Sequence, residues 1–278
     1  MSVWTAEHWD RELSRSMPSI RRAPPPGPKL ERYWPAAELW RDKQAWCVVE
    51  CSSEIQRFFP GVDLAPLAAR SRSIKRGRQG RMRSWKAGSI VRLSSGLELD
   101  HAWDCELDSG VSQFFVQPLR MQYVFQGKSR AYRPDALVVT ADGLEIREVK
   151  HEEDASLPEN TKRWPIIAEL LNAAGISFRV VTDQTIRAPT RKGNVEYIRA
   201  RRRCGVAPEH IVGALSDRTR HSVGQSISQV LSSTNGLSVH ELCAAIRWGL
   251  LAVDLDLAPI NDLTIVHSGP LHTRTAAP

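Results

Sequence analysis

Apolar and polar positions change period along the chain, and the changes mark out its elements. A helix is predicted over 95–107, opening on Ser95 with Glu98 three residues later, a capping-box spacing. Apolar and β-branched runs at 114–119 and 119–125 read as strands, and Gln126-Gly127-Lys128 supplies a turn. The next strand, 132–140, runs into Asp142-Gly143, the strongest short hairpin signal in the chain, and 145–150 returns antiparallel. A helix over 157–174, interrupted near its start by Pro165, leads through Gly175 to a strand at 177–182. The middle of the chain therefore predicts a helix, a mixed sheet of about five strands and a covering helix, an α/β sandwich.

The ends read differently. Short helices are predicted at 208–215, 219–231 and 238–248, the third opening Ser238-x-x-Glu241, a second capping box. Alternating Leu251, Val253 and Leu255, then Leu263 and Ile265, flank Pro259-Ile260-Asn261 as in a β-hairpin, so the C-terminal part has the outline of a winged helix-turn-helix. Its third helix offers only Arg247, His240 and Glu241 as polar contacts, few for reading base edges, which favours a protein partner. Near the N-terminus, Ala23-Pro24-Pro25-Pro26-Gly27-Pro28-Lys29 is an extended strap, and Trp34, Trp40 and Trp46 suggest an apolar surface packing on the main domain. The resulting division is an N-terminal extension over 1–69, a central domain over 70–200 and a small domain over 201–278.

Composition adds bounds. With 42% hydrophobic and 25% charged residues, the chain has the balance of a folded globular protein. It shows neither a membrane-length apolar run nor the basic flank and apolar stretch of a signal peptide, so an intracellular location is expected. Five cysteines, of which only Cys47 and Cys51 lie close together, fit reduced structural thiols better than a zinc site. The net charge of +7 is local: residues 70–92 hold nine Arg and Lys and no Asp or Glu. Arg72, Lys75, Arg76, Arg78, Arg81 and Arg83, with glycines and Trp85 among them, suit a phosphate backbone, the alternative being a solvated loop. Arg199, Arg201, Arg202 and Arg203 form a second cluster, equally consistent with a linker.

Candidate chemistry lies on the predicted hairpin. If Asp142-Gly143 is its two-residue turn, Asp135 lies opposite Lys150, and Glu148 is its diagonal neighbour on the same face. Two carboxylates and a lysine on one rigid hairpin suit metal-assisted phosphodiester hydrolysis, in which hard Mg²⁺ takes oxygen ligands. The same residues also describe a cross-strand ion pair. His101, one turn from Glu98, is expected on the helix surface, and Glu152, Glu153 and Asp154 in a solvated loop.

These residues resemble the PD-(D/E)xK nuclease superfamily and, more narrowly, the TnsA family, the endonuclease subunit of heteromeric transposases. The narrower resemblance rests on Leu97-Glu98-Leu99, Gln117-Pro118-Leu119, Tyr132-Arg133-Pro134-Asp135, Glu148-Val149-Lys150 and Val181-Thr182-Asp183. It implies a restriction-endonuclease-like mixed sheet with flanking helices, and it makes Glu98, Asp135 and Glu148 metal ligands, with the Val149 carbonyl a further ligand and Lys150 the catalytic lysine. It also implies Mg²⁺, with Mn²⁺ substituting, and a bacterial cytoplasmic setting. The implied partners are the DNA of transposon ends, a DDE transposase subunit and an AAA+ ATPase regulator engaged through the C-terminal domain. The expected activity is cleavage of the 5′ strands at those ends. A free-standing restriction or repair nuclease and a non-catalytic DNA-binding adaptor are the rival readings.

Overall fold

The computed structural model describes residues 46–58, 65–67, 80–126, 128–173, 175–201, 224–234 and 237–269. The Pro-rich strap, Trp34, Trp40, Arg72, Lys75, Arg76, Arg78, Arg202, Arg203 and the helix predicted at 208–215 lie outside them. The described residues fall into two units, dividing at 189/190.

The first unit holds two four-stranded sheets and a hairpin. Sheet one comprises β1 (Trp46–Cys51), β2 (Ala65–Pro66), β6 (Leu119–Phe125) and β7 (Lys128–Tyr132), in the order β2-β1-β6-β7. Sheet two comprises β5 (Val111–Val116), β8 (Ala136–Thr140), β9 (Gly143–Lys150) and β10 (Ile176–Thr182), in the order β10-β9-β8-β5. It is mixed, with β10 parallel to β9 and the other pairs antiparallel. The hairpin is β3 (Gly80–Arg83) with β4 (Ile90–Leu93). Four helices accompany the strands: α1 (Gly96–Leu107), α2 (Glu152–Ala155), α3 (Pro158–Ala173) and α4 (Asp183–Ile186).

Two sheets replace the single sheet of about five strands because the chain breaks twice at one level. Pro118 and Pro134 have no N–H to give a ladder, and Gln117 adopts φ 47°. The Gln117 N–H donates to the Asp135 carbonyl at 2.8 Å, so the two breaks stand side by side. The strand predicted over 132–140 is consequently cut at Arg133-Pro134-Asp135, its first part joining β6 and its second joining β5 and β9.

The hairpin register also differs from expectation. Thr140 pairs with Gly143 and Ala136 with Arg147, so the turn residues are Ala141 and Asp142, and Gly143 (φ 127°) begins the strand. Continued by one step, this register sets Asp135 level with Glu148 rather than Lys150. A displacement of two residues preserves which face each side chain occupies. Pro165, expected to interrupt its helix, is accommodated within α3.

One core joins the sheets. Leu137, Leu144 and Ile146 of sheet two, Leu119 and Met121 of sheet one, and Trp164, Ile167 and Leu171 of α3 form a single buried cluster. On the other face of β9, Arg147 reaches toward α1, its Nη1 lying 3.7 Å from the Cys105 sulfur. α1 also carries the hairpin. Glu106, fully buried, accepts from Ser84 Oγ at 2.6 Å and from the Trp85 N–H at 2.8 Å. Lys86 Nζ donates to the Cys105 carbonyl at 3.0 Å and to that of Asp108. The second half of the basic segment is thus ordered structure rather than a solvated loop. Cys51, Cys105 and Cys243 are free, buried thiols, and burial pushes that of Cys105 up to about 12.

In the second unit, α5 (Pro189–Ala200), α6 (Ile227–Ser233) and α7 (Val239–Arg247) accompany a sheet of β11 (Gln225–Ser226), β12 (Leu251–Val253) and β13 (Ile265–Ser268), in the order β11-β13-β12. The Ser238–Glu241 capping box forms, the Ser238 N–H donating to Glu241 at 2.6 Å. β12 and β13 pair antiparallel, but a long 254–264 segment joins them instead of a tight turn. Buried Asn194 pins that segment, donating to the Leu255 and Ala258 carbonyls at 2.9 Å each. Among the described residues no helix is long and apolar enough to cross a membrane.

Burial lowers the Lys86 ammonium to about 8, although Glu106 and Asp108 oppose that shift. Between about pH 8 and the ordinary lysine value the unfolded chain binds the extra proton, so stability rises with pH across that window. The gain is on the order of 3 kcal/mol at most. Urea denaturation of wild type and Lys86→Met from pH 7 to 10.5 should show this rise in the wild type and its loss in the variant.

Candidate active site

Asp135, Glu148 and Lys150 meet where β8 begins and β9 ends. Lys150 Nζ lies 2.6 Å from Glu148 Oε1 and 3.7 Å from Asp135 Oδ2, so one ammonium stands between two carboxylates. The Val149 N–H donates to the same Asp135 oxygen, Oδ2, at 2.9 Å. The Val149 carbonyl accepts from Lys150 Nζ at 3.3 Å. These bonds follow from alternation along β9: Glu148 and Lys150 share one face, and the Val149 side chain packs on the other with Leu97 and Ile186.

Glu148 is 4% exposed, and Tyr132, absent from the sequence-derived residue set, secures it. The Tyr132 hydroxyl donates to Glu148 Oε2 at 2.6 Å, leaving Oε1 to Lys150. Burial pushes the Glu148 carboxyl up and Asp135 adds to the shift, while Lys150 and the two hydrogen bonds hold it back. Burial also drives the Tyr132 phenol well above its ordinary value, with Glu148 reinforcing it. For Lys150, burial acts to lower the ammonium, but Glu148 and Asp135 outweigh it and the net direction is upward. Tyr132 was visible only as the residue before Arg133-Pro134-Asp135. Hairpin arithmetic could not reach it, because β7 pairs with β6 and not with β9.

Glu98 approaches from the opposite face of the sheet. It is the third residue of α1, where Ser95 Oγ accepts the Glu98 N–H at 3.1 Å. Its carboxylate accepts from the Ser94 N–H at 3.0 Å and from Ser95 Oγ at 3.3 Å, so the Ser95 half of the expected capping box forms while Glu98 turns to the N–H one residue before the cap. Glu98 and Asp135 nevertheless line one small cavity of about 10 Å³, the scale of a single water, together with Leu93, His101, Phe114 and Val149. His101 is buried there rather than lying on the helix surface, its Nε2 3.5 Å from the Cys105 sulfur. Among the described residues, no three Asp, Glu, His or Cys side chains gather as a metal-ligand set. The reason is visible in the bonds: Glu148 is turned to Tyr132 and Lys150, and Glu98 to the helix cap.

Beside the site, the acidic run forms the one-turn α2 rather than a loop, and the Asp183 carboxylate accepts the Glu152 N–H at 2.8 Å. The His151 ring, Nδ1 2.9 Å from Asp183 Oδ2, holds that carboxyl below its ordinary range, with the Glu152 N–H contributing. Arg81 and Arg83 lie on the exposed side of β3. Arg201 stacks 3.7 Å from the Tyr197 ring centre, at the end of α5.

The mixed α/β fold, with a lysine between paired carboxylates at the sheet end, fits a nuclease-like domain. Residues 108–183, the segment carrying Asp135, Glu148 and Lys150, match the family model of the TnsA-like endonuclease N-terminal domain, which supports a TnsA-type endonuclease. Glu98 and the β3–β4 hairpin precede the matched residues. No curated protein matches the chain significantly.

Tyr132→Phe should destabilise the protein by about 1–3 kcal/mol, because it leaves one oxygen of a buried carboxylate without its donor. Urea denaturation at pH 7 measures this. An unchanged midpoint would remove Tyr132 as the residue that secures Glu148.

Proposed function

We propose that the chain is the Mg²⁺-dependent DNA endonuclease subunit of a transposition complex, cutting the 5′, non-transferred strands at the ends of a mobile element. The observation that carries this reading is the convergence of Asp135, Glu148 and Lys150 at one end of sheet two, inside the segment that matches the TnsA-like family. The family match supports cleavage of DNA by this domain; the metal, the strand and the complex are our extension of it.

The donor set is all oxygen, which fits a hard divalent cation. Asp135 and Glu98 already share a cavity, and Glu148 is tied to Asp135 through one ammonium. Asp135, Glu148, Glu98 and the Val149 carbonyl would hold Mg²⁺, or Mn²⁺ in its place. When bound, the cation polarises the scissile phosphate and makes a coordinated water more acidic. The protein groups do the rest. Lys150, whose ammonium is favoured by both neighbouring carboxylates, offsets negative charge developing on the phosphate and orients the attacking water. Tyr132 fixes the Glu148 carboxylate plane, and the Val149 N–H fixes that of Asp135.

The division into an extension (1–69), a nuclease domain (70–200) and a C-terminal domain (201–278) belongs to this proposal. So does the winged helix-turn-helix, supported by consecutive helices α6 and α7 followed by the β12–β13 pair. α7 buries Leu242, Cys243, Ala244, Ala245 and Ile246 and leaves little beyond His240 and Arg247 to contact a ligand. That supports a protein partner, the AAA+ ATPase regulator, rather than base readout. A DDE transposase subunit would make the 3′ cuts and joins.

Asp135→Ala in the assembled complex should leave the 3′ strands cut and joined while the 5′ strands stay attached to donor DNA. Replication of those branched products fuses donor and target, whereas wild type yields simple insertions. Sequencing the insertion products distinguishes the two. Simple insertions at wild-type frequency from both Asp135→Ala and Lys150→Ala would overturn the catalytic assignment and favour the adaptor reading. Calorimetric titration with Mn²⁺ adds an independent measure, with Asp135→Ala expected to lose the binding.

A further inference from the structure

The β3–β4 hairpin has two unlike faces. Met82 and Val91 pair across the strands and are buried, as is Leu93, and Gly80 lies so close to Leu99 that a Cβ there would meet its side chain at 3.0 Å. The opposite face carries Arg81 directly across from Arg92, with Arg83 two residues further along β3. All three arginines are exposed. The fourth position of that face is Ile90, opposite Arg83 and 56% exposed. Residues 80–93 contain no Asp or Glu.

Like charges directly opposed on an antiparallel pair are destabilising. This pair is kept nonetheless on a hairpin fastened from below, by Ser84 and Trp85 on buried Glu106 and by Lys86 on the last carbonyls of α1. Gly88, at φ 67°, and the Ala87 N–H donating to Ser84 Oγ at 2.9 Å close the loop. The arginines are therefore presented by a rigid platform, which removes much of the ordering cost of binding. A rigid row of positive charge whose members repel one another is satisfied by a rigid row of negative charge. Arg81 and Arg83 are about 7 Å apart along the strand at about 3.3 Å per residue. That matches the axial rise over two phosphates of one DNA strand, at about 3.4 Å each along the helix axis.

We propose that the outward face of the β3–β4 hairpin, Arg81, Arg83 and Arg92, is a preformed clamp on the duplex DNA backbone, held in shape by Glu106. The assignment rests on the reading that the chain acts on DNA. It narrows the basic segment to one defined surface and adds Arg92 and the positioning residue Glu106 to it. The contacts are to phosphate, so the clamp supplies affinity without sequence preference. Ile90 covers the sugar edge between the guanidinium groups.

The test uses the full chain, a fluorescent duplex of arbitrary sequence and anisotropy titrations from 50 to 300 mM salt. Arg81→Gln/Arg83→Gln/Arg92→Gln should bind about eightfold more weakly per lost contact at 0.1 M salt and should lower the salt slope by about 0.9 for each phosphate contact removed. Its thermal melt should equal or exceed that of wild type, since the Arg81–Arg92 repulsion is relieved, and its Mn²⁺ titration should match wild type. Glu106→Gln keeps every arginine but loosens the platform; it should weaken binding with little change in slope. Wild-type affinity and slope in the triple variant would overturn the clamp while leaving the endonuclease reading intact. Failure of the wild type itself to bind duplex DNA would overturn both. Tighter binding of an RNA or of a poly-glutamate peptide at equal salt would assign the face to another partner and overturn the proposal.

Discussion

The hydrogen bond from the Gln117 N–H to the Asp135 carbonyl is the constraint on which the arrangement turns. It holds two chain breaks level with each other, each made by a proline that cannot serve a sheet ladder. Across that level the polypeptide changes sheet twice, from sheet two into sheet one through Gln117-Pro118 and back into sheet two through Arg133-Pro134. Strand β8 therefore starts beside the end of β9, and Asp135, the residue before it, is delivered to the end of the sheet with its carbonyl already engaged. A continuous strand over 132–140 would have given Asp135 an ordinary place in the ladder and kept Tyr132 in the same sheet. The break instead brings Tyr132, from sheet one, onto Glu148, from sheet two.

That convergence concentrates negative charge where water has little access. Glu148 is nearly inaccessible and its carboxyl is pushed upward, first by burial and then by Asp135. Breaking a buried ion pair by removing one partner is more costly than never forming it, since the remaining charge stays buried. Lys150 is the counter-charge, and its own partial exposure keeps the pair in touch with solvent. Any cation entering among these oxygens would compete with the ammonium already there.

Much of this was legible because strand alternation is robust to register. The predicted turn at Asp142-Gly143 was displaced by one residue, which shifted cross-strand partners by two and left every face assignment standing. Ser95 and Ser238 declared their helices correctly, because capping is a local property of a few residues. What stayed hidden was non-local. The division into two sheets depends on which strands β6 and β7 find, and Tyr132 reaches Glu148 only as a consequence. His101, one turn from Glu98, was expected on the helix surface. It is buried because it faces the cavity that Leu93, Phe114 and Val149 line, and those contacts are non-local.

Strand β9 connects these features. Its even-numbered residues, Leu144, Ile146 and Glu148, run from the core beneath α3 to the carboxylate of the site. Its odd-numbered residues, Glu145, Arg147 and Val149, face α1, where Arg147 meets the Cys105 sulfur and Val149 packs on Leu97. Helix α1 in turn bears Glu98 at its first turn and Glu106 at its last, the one lining a cavity with Asp135 and the other anchoring the arginine hairpin. A rigid helix of twelve residues thus fixes the distance between the candidate catalytic end and the candidate phosphate-gripping face. Because close-packed interiors transmit small displacements instead of absorbing them, DNA held on β3–β4 would have its position relative to Asp135 set by α1 and β9 together, without a hinge between grip and cut.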